Sequence, residues 1–147
     1  MISSRSLDDL HPHVQELAHN FLDACKNAGI PLLVTCTYRD FEAQDALYAR
    51  GRTILTEGGH KVGKVTNAKG GQSYHNFHLA MDIVPLRNGK PVWGTSGADG
   101  ALWNKLGTLG ISKGFEWAGK WRTFKEFPHF QWTGGLSLDD LRAGRKP

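Results

Sequence analysis

The chain has few cysteines and no long apolar run. Its 147 residues include only Cys25 and Cys36. Neither belongs to a CxxC pair, so we expect buried free thiols rather than a disulfide, a metal site or a redox site. No stretch approaches the ~18 consecutive apolar residues of a membrane-spanning helix, so no stable membrane association is expected. The first residues, MISSRSLDDLHPH, lack the apolar core of a signal peptide, and we expect synthesis in a cytoplasm without one.

Charge of either sign shows no strong local run. The 18 Lys and Arg residues exceed the 14 Asp and Glu residues by four. This mild excess favours an anionic partner, such as nucleic acid or a cell envelope, without choosing between them. The basic residues look scattered and no nucleic-acid-binding motif is present, so nucleic acid is not expected. The length and the 39% apolar content predict a single domain over residues 1–147.

Helical and strand patterns alternate in the first third of the chain. Apolar residues recur at helical spacing over Pro12–Asn27, and Gly29 ends that pattern. Residues 30–38, IPLLVTCTY, are rich in β-branched and aromatic types and predict a buried strand. Asp40 is positioned to cap a second helix that runs to about Ala49.

The rest of the chain contains more turns. Residues 51–72, GRTILTEGGHKVGKVTNAKGGQ, have no sustained period and predict a long loop. The segments LAMDIVPL and HFQW predict strands, Asn88-Gly89 predicts a hairpin turn, and SLDDLRAG predicts a terminal helical turn. Asp99 is expected to cap a short helix that ends near Gly110. This order predicts the α+β class, with a small, mostly antiparallel sheet and helices packed on one side.

The segment SYHNFHLAMDIV, residues 73–84, contains an aspartate within an apolar run. A buried carboxylate needs a partner, because an unpaired charge in a core costs several kcal/mol. His75 and Asp82 are candidate metal ligands, and His129 at the start of the last strand is a candidate third ligand. Glu126, three residues before His129, is a candidate base in a bent loop, EFPH. The alternative interpretation is that Asp82 pairs with a histidine in the core.

Three ordered motifs make a family resemblance specific. SYHNFHLAMD resembles the SxHNxGLAxD motif of the zinc peptidases that cut bacterial cell-wall peptides. This group includes D-alanyl-D-alanine carboxypeptidases and dipeptidases and the L-alanyl-D-glutamate endopeptidases of phage endolysins. EFPHF resembles the D/E-x-x-H element of the family, and residues 37–53, TYRDFEAQDALYARGRT, are similar to its upstream segment. The compact length most resembles the single-domain phage endolysin members.

The resemblance implies a role for each matching residue. One catalytic Zn²⁺ would be held by His75, Asp82 and His129 at the sheet edge. Glu126 would be the catalytic base that takes a proton from water and delivers it to the leaving amine. Arg39 would steady the scissile carbonyl and its developing oxyanion.

Ser73 opens the main motif, and the resemblance implies that it helps to hold substrate. Two positions depart from the family pattern. The family's glycine is His78 here, and glycine at such a place serves a positive φ or a close backbone approach. His78 could instead replace His75 as a ligand, but four extended residues span roughly 13 Å, so we expect His78 to flank the site. In WAGKW, Lys120 reverses a charge of the family's pattern and could change substrate preference.

Three functions are compatible with these residues. The leading hypothesis is a zinc endopeptidase that cuts the L-alanyl-D-glutamate bond of peptidoglycan stem peptides during phage lysis. An alternative within the same chemistry is a D-alanyl-D-alanine carboxypeptidase or dipeptidase. A catalytically degenerate wall-binding domain is the alternative of another class, and His78 is the feature that favours it. The resemblance also implies a holin-type release partner, a monomer, and action on the wall in the periplasm after release.

Overall fold

The computed structural model describes residues 1–147. Its helices are α1 (Pro12–Asn27), α2 (Phe41–Ala49), α3 (Gly97–Ser112) and α4 (Leu138–Arg142). Its strands are β1 (Leu32–Cys36), β2 (Thr56–Glu57), β3 (His60–Lys61), β4 (Ala80–Arg87), β5 (Lys90–Pro91), β6 (Glu116–Trp117) and β7 (His129–Gln131). None of the helices is long and apolar enough to cross a membrane.

The first two helices confirm their sequence predictions. In α1, Pro12 occupies the first turn, where its missing N–H leaves no hydrogen bond unmade. One face of α1 is buried at helical spacing: Val14, Ala18, Phe21 and Cys25. Asp40 caps α2 by accepting a hydrogen bond from the Ala43 backbone N–H at 2.8 Å. Both cysteines are buried and free, as predicted.

The main sheet has the strand order β1-β4-β7-β6, and β5 extends β4 through the predicted Asn88-Gly89 turn. Every pairing is antiparallel, which confirms the α+β class. β1 is shorter than the predicted strand. Beyond Cys36 the chain pairs with the N-terminal residues instead, and Ser4 exchanges backbone hydrogen bonds with Thr37 and Tyr38 at 2.8 and 2.7 Å.

Helix α3 is longer than predicted, and its N-cap is not the predicted Asp99. Ser96 occupies the N-cap position, while Asp99 lies in the first turn and pairs with Arg87. Glycines hid the helical pattern, because glycine is a poor helix former. Packing requires the glycine at position 107, because a Cβ there would lie 2.2 Å from the Trp117 ring.

Residues 50–69, here called the arm, contain more structure than the predicted loop. β2 and β3 form a small hairpin around Gly58 and Gly59, whose φ angles are 54° and 80°. The base of the arm is closed tightly, since a Cβ on Gly51 would lie 2.2 Å from the Lys64 backbone nitrogen. Arg52 reinforces it by donating hydrogen bonds to backbone carbonyls. The arm therefore has a fixed base and an exposed tip.

Candidate metal centre

The two central strands bring three candidate ligands together. Asp82 on β4 lies opposite His129 on β7, and His75 comes from a short 3-10 helix, Tyr74–Phe77, just before β4. Asp82 Oδ1 is 3.0 Å from His75 Nε2 and 3.3 Å from His129 Nδ1. The group therefore uses the paired ends of central strands rather than an edge strand, which refines the predicted location at the sheet edge.

Hydrogen bonds set the tautomer of each histidine. His75 Nδ1 lies 2.7 Å from the Thr37 carbonyl oxygen, which can only accept, so this nitrogen carries a proton. His129 Nε2 lies 2.7 Å from Gln131 Oε1. The Gln131 amide donates in turn to Glu116 Oε2 at 2.6 Å, which leaves its oxygen to accept from His129. The remaining ring nitrogens of both histidines face Asp82, as in metal sites with oriented ligands.

Burial and charge couple Asp82 to the histidines. Burial opposes the Asp82 carboxylate, but attraction to His75 and hydrogen bonds from both histidines outweigh it, and the pKa of Asp82 falls far below its ordinary 3.8. Burial also opposes charge on His75, yet attraction to Asp82 outweighs it and raises the pKa of His75 to about 10. A proton on His75 Nε2 and a divalent cation are therefore alternatives at the same place.

The donor set fits a zinc ion. Two imidazole nitrogens and one carboxylate oxygen are ligands that Zn²⁺ uses in catalytic sites. All three atoms lie within 4.8 Å of one another, and the two measured separations approach the ~3.3 Å edge of a tetrahedron with metal–ligand bonds of about 2.0 Å. The other face of the group opens on a cleft of about 670 Å³. A metal held here would keep a position open for water or substrate.

Glu126 lies on the cleft beside this group. Its Oε2 is 3.9 Å from His129 Nδ1, and 55% of its side chain is exposed. The segment before His129 turns at Phe127 and Pro128, as the predicted bent loop requires. The Glu126 carboxylate is close enough to contact a water molecule beside His129 but has no fixed protein partner.

Arg39 is held beside the group by contacts that the sequence patterns missed. Its guanidinium donates to Gln44 Oε1 at 2.9 Å and lies 3.2 Å from Cys36 Sγ. Its backbone N–H donates to the His75 carbonyl at 3.1 Å, and the Asn76 side chain donates to the Arg39 carbonyl at 2.9 Å. The Nε atom of Arg39 is buried with no acceptor. Gln44 and Asn76 stand inside the quoted motifs, but only tertiary contact reveals their role.

Ser73 and His78 bracket the 3-10 helix that carries His75. Ser73 is the N-cap of this helix, and its hydroxyl accepts from the His75 backbone N–H at 3.3 Å. His78 is the C-cap and has a left-handed φ of 64°. Its ring stacks on Tyr38 with centroids 3.8 Å apart, and its Nδ1 hydrogen-bonds the Asp9 carbonyl at 2.6 Å. His78 is not among the residues that line the cleft, and its ring packs on Tyr38 and Asp9 instead. Its backbone keeps the shape that favours glycine.

The rim of the cleft consists of loops and aromatic side chains. Trp93 is 58% exposed, and it lines the cleft together with Trp121 and Phe127. Trp103 also reaches the cleft, but Trp103 and Trp117 are core residues, each only 1% exposed. Lys120 is exposed and is not among the residues lining the cleft.

The sequence matches the family model of VanY, D-alanyl-D-alanine carboxypeptidase, over residues 7–134. The chain belongs to the VanY family. This confirms the resemblance inferred from the three motifs. The VanY-family chain is also 37% identical, over 129 residues, to the peptidoglycan L-alanyl-D-glutamate endopeptidase CwlK of Bacillus subtilis (strain 168), covering 84% of this chain and 73% of that relative.

A phage protein is a second relative. The L-alanyl-D-glutamate peptidase of Listeria phage A118 is 31% identical over 146 residues, which cover 96% of this chain but 46% of that protein. This VanY-family chain thus spans about half the length of the phage relative. Together with CwlK and the family model, the phage protein confirms that the chain is a cell-wall peptidase.

Solved structures share the fold. The L-Ala D-Glu endopeptidase ChiX of Serratia marcescens has a TM-score of 0.61 at 21% identity, over 95% of this chain and 92% of ChiX. The D,D-pentapeptidase VanY of a VanB-type resistance cassette, solved as an E175A mutant with Zn(II), has a TM-score of 0.58 at 18% identity, over 89% of this chain and 82% of that one. At these identities the likeness concerns the fold.

Proposed function

We propose that this VanY-family chain is a zinc-dependent endopeptidase that cuts the L-alanyl-D-glutamate bond of peptidoglycan stem peptides. The observation that carries the proposal is the convergence of His75, Asp82 and His129 on one point, with the second nitrogen of each histidine already hydrogen-bonded. The names of CwlK and the Listeria phage protein support the choice of bond. The Zn(II) complex of a VanY structure supports the choice of metal.

In this proposal His75 Nε2, His129 Nδ1 and Asp82 Oδ1 hold one Zn²⁺. When bound, the ion supplies a Lewis acid that polarises a carbonyl and lowers the pKa of water. Glu126 accepts the proton of the attacking water at a carboxylate oxygen and passes it to the amine of the leaving D-glutamate. Its exposure and its freedom from a fixed partner allow both movements.

Arg39 stabilises the oxyanion that forms on the L-alanyl carbonyl. Gln44 and Cys36 hold its guanidinium in place, so little reorganisation is needed when the charge develops. Ser73 lines the cleft, and its hydroxyl orients the substrate by a hydrogen bond made in addition to the one it accepts from the His75 N–H.

The phage relative supports a role in host lysis. In that setting the enzyme would reach the wall after release by a holin-type partner and act as a monomer. Co-expression with and without a holin tests the route: the proposal expects lysis only when both are present. Lysis by the peptidase alone would remove the need for such a partner.

A D-alanyl-D-alanine carboxypeptidase is the second candidate, because the matching family model carries that description. Digestion of purified peptidoglycan separates the two activities by product. The proposal expects new amino-terminal D-glutamate, lost with a chelator and restored by Zn²⁺. Free D-alanine without new D-glutamate amines would establish the carboxypeptidase instead, and activity that survives the chelator would disprove the zinc requirement.

A further inference from the structure

The positive charge of the chain is concentrated in the arm. Residues 50–69 contain five Lys and Arg residues and one acidic residue, a net charge of +4. The whole chain has 18 basic and 14 acidic residues, so the remainder carries 13 of each sign and is neutral. Outside this segment, the basic and acidic residues are therefore equal in number.

Only part of this charge is neutralised within the fold. Glu57, the single acidic residue of the arm, pairs with Arg50 at 3.0 Å. Arg52 donates to the Tyr48 and Thr66 carbonyls at 2.7 and 3.0 Å and so serves the base of the arm. Two lysines, Lys61 in β3 and Lys64 next to the base of the arm, are exposed and form no ion pair. Their charges are available to a partner.

The arm also forms one wall of the active-site cleft. Arg50, Val65 and Thr66 line the cleft, and Gln44 fixes the end of the arm by donating to the Ala68 carbonyl at 2.8 Å. Because Lys64 directly precedes Val65 on this wall, a partner that binds Lys64 lies beside the cleft. Charges act over about 10 Å at moderate ionic strength, so the exposed lysines attract an anionic partner that comes close to the arm.

We propose that the arm binds a phosphodiester polymer attached to the bacterial wall, such as a teichoic acid, and so retains the enzyme beside the stem peptides. The proposal rests on the proposed function only in that the cleft takes peptides of the same wall. A polymer with one negative charge per repeat can contact Lys61 and Lys64 in succession without a shaped pocket. Such binding weakens steeply with salt, because each contact releases counterions.

Co-sedimentation of the protein with purified walls tests the binding of the polymer by the arm. A chelator is present throughout to prevent cleavage. Walls would be used before and after hydrofluoric acid extraction, which removes phosphodiester polymers and leaves the stem-peptide carboxylates. The double variant Lys61→Gln/Lys64→Gln is compared with Lys105→Gln/Lys113→Gln, which removes the same charge from exposed positions of α3 and its C-cap. Duplex DNA at equal phosphate concentration is the comparator.

We expect extraction to abolish most binding and the arm variant to bind intact walls roughly tenfold more weakly. The α3 variant should bind as the native protein does. Equal binding to extracted walls, equal loss in both variants, or stronger retention by DNA would each overturn the proposal. The Lys61→Gln/Lys64→Gln variant, loaded with zinc, should still cleave a short soluble stem peptide, because neither lysine lines the cleft. If no protein cleaves that peptide while the binding result holds, the proposed function fails and the arm proposal stands.

Discussion

The two halves of the cleft are built differently. The sheet half holds His75 and His129, whose side chains are 3% and 8% exposed and hydrogen-bonded on their outer nitrogens. The loop half carries Glu126, with 55% of its side chain exposed, and the exposed arm. Candidate metal ligands are thus oriented in advance, whereas the candidate base and the rim can adjust to a substrate. Metal affinity should depend on the sheet half, and turnover on both.

The largest effect is expected from Asp82→Ala in the sheet half. The change removes the only carboxylate between two buried histidines, so we expect loss of both zinc binding and hydrolysis. Metal content after dialysis and release of amino termini from peptidoglycan measure the two losses. Asp23→Ala on the exposed side of α1 is the control and should keep both. Stoichiometric zinc in Asp82→Ala would contradict the ligand assignment.

Glu126→Gln tests whether hydrolysis, to which the loop half contributes, can be lost while the sheet half still binds zinc. Removing a general base typically costs 10²–10⁴-fold in rate, while a residue outside the ligand set should leave zinc content unchanged. Hydrolysis rates and metal content are measured on the same preparation. Full activity in Glu126→Gln would show that another group moves the proton.

Gln131→Met tests whether the hydrogen bond from His129 to Gln131 orients this ligand for metal binding. It removes the acceptor for His129 Nε2–H with little change of volume, and loss of such a partner typically weakens metal binding about 10–100-fold. Competition with a chromophoric chelator gives the affinity. Glu116→Gln keeps a polar partner for Gln131 and should have a smaller effect. Unchanged affinity in Gln131→Met would mean that the strand alone orients His129.

The pH dependence of stability should differ between chelated and zinc-loaded protein. The raised pKa of His75 stabilises the chelated fold fully below its ordinary pKa of 6.5, and this contribution is lost as the pH rises towards about 10. The lowered pKa of Asp82 stabilises the fold above its ordinary 3.8, and this is lost on acidification. Thermal melts should therefore show the chelated protein losing Tm above about pH 7, while zinc removes that alkaline loss. Parallel profiles would contradict the coupling.

The smallest effect is expected from His78→Gly at the end of the 3-10 helix that carries His75. Glycine relieves the left-handed backbone, worth about 1–2 kcal/mol, but loses the Tyr38 stack and the Asp9 hydrogen bond, each about 0.5–1.5 kcal/mol. The free energy of unfolding should change by less than about 1 kcal/mol. His78→Ala loses the same two contacts but keeps a side chain on the left-handed backbone, so it should be clearly less stable than His78→Gly. Urea titrations compare them, and equal losses would show that the backbone carries no strain.

Local patterns predicted some parts of the molecule better than others. The bounds of α1 and the cap of α2 follow from short-range chemistry, because apolar spacing and Asp40 act within a few residues. The predicted α3 is too short because glycines such as Gly107 disfavour a helix in a local pattern. In the fold, Gly107 is needed because the Trp117 ring lies against it. The hairpin of the arm was missed because each of its strands is only two residues long.

The sequence by itself determined the family, the order of elements and the residue types that can hold a metal, since motifs and periodicity are local properties. Only the tertiary structure decided that Asp82 faces His129 across two strands and that Gln131 and the Thr37 carbonyl set the ring tautomers. It also decided that the arm, with all of the excess charge, stands beside the cleft. Gln131 lies only two residues from His129, on the same face of β7. The other relations join residues far apart in the chain, and only the packing of the fold brings them together.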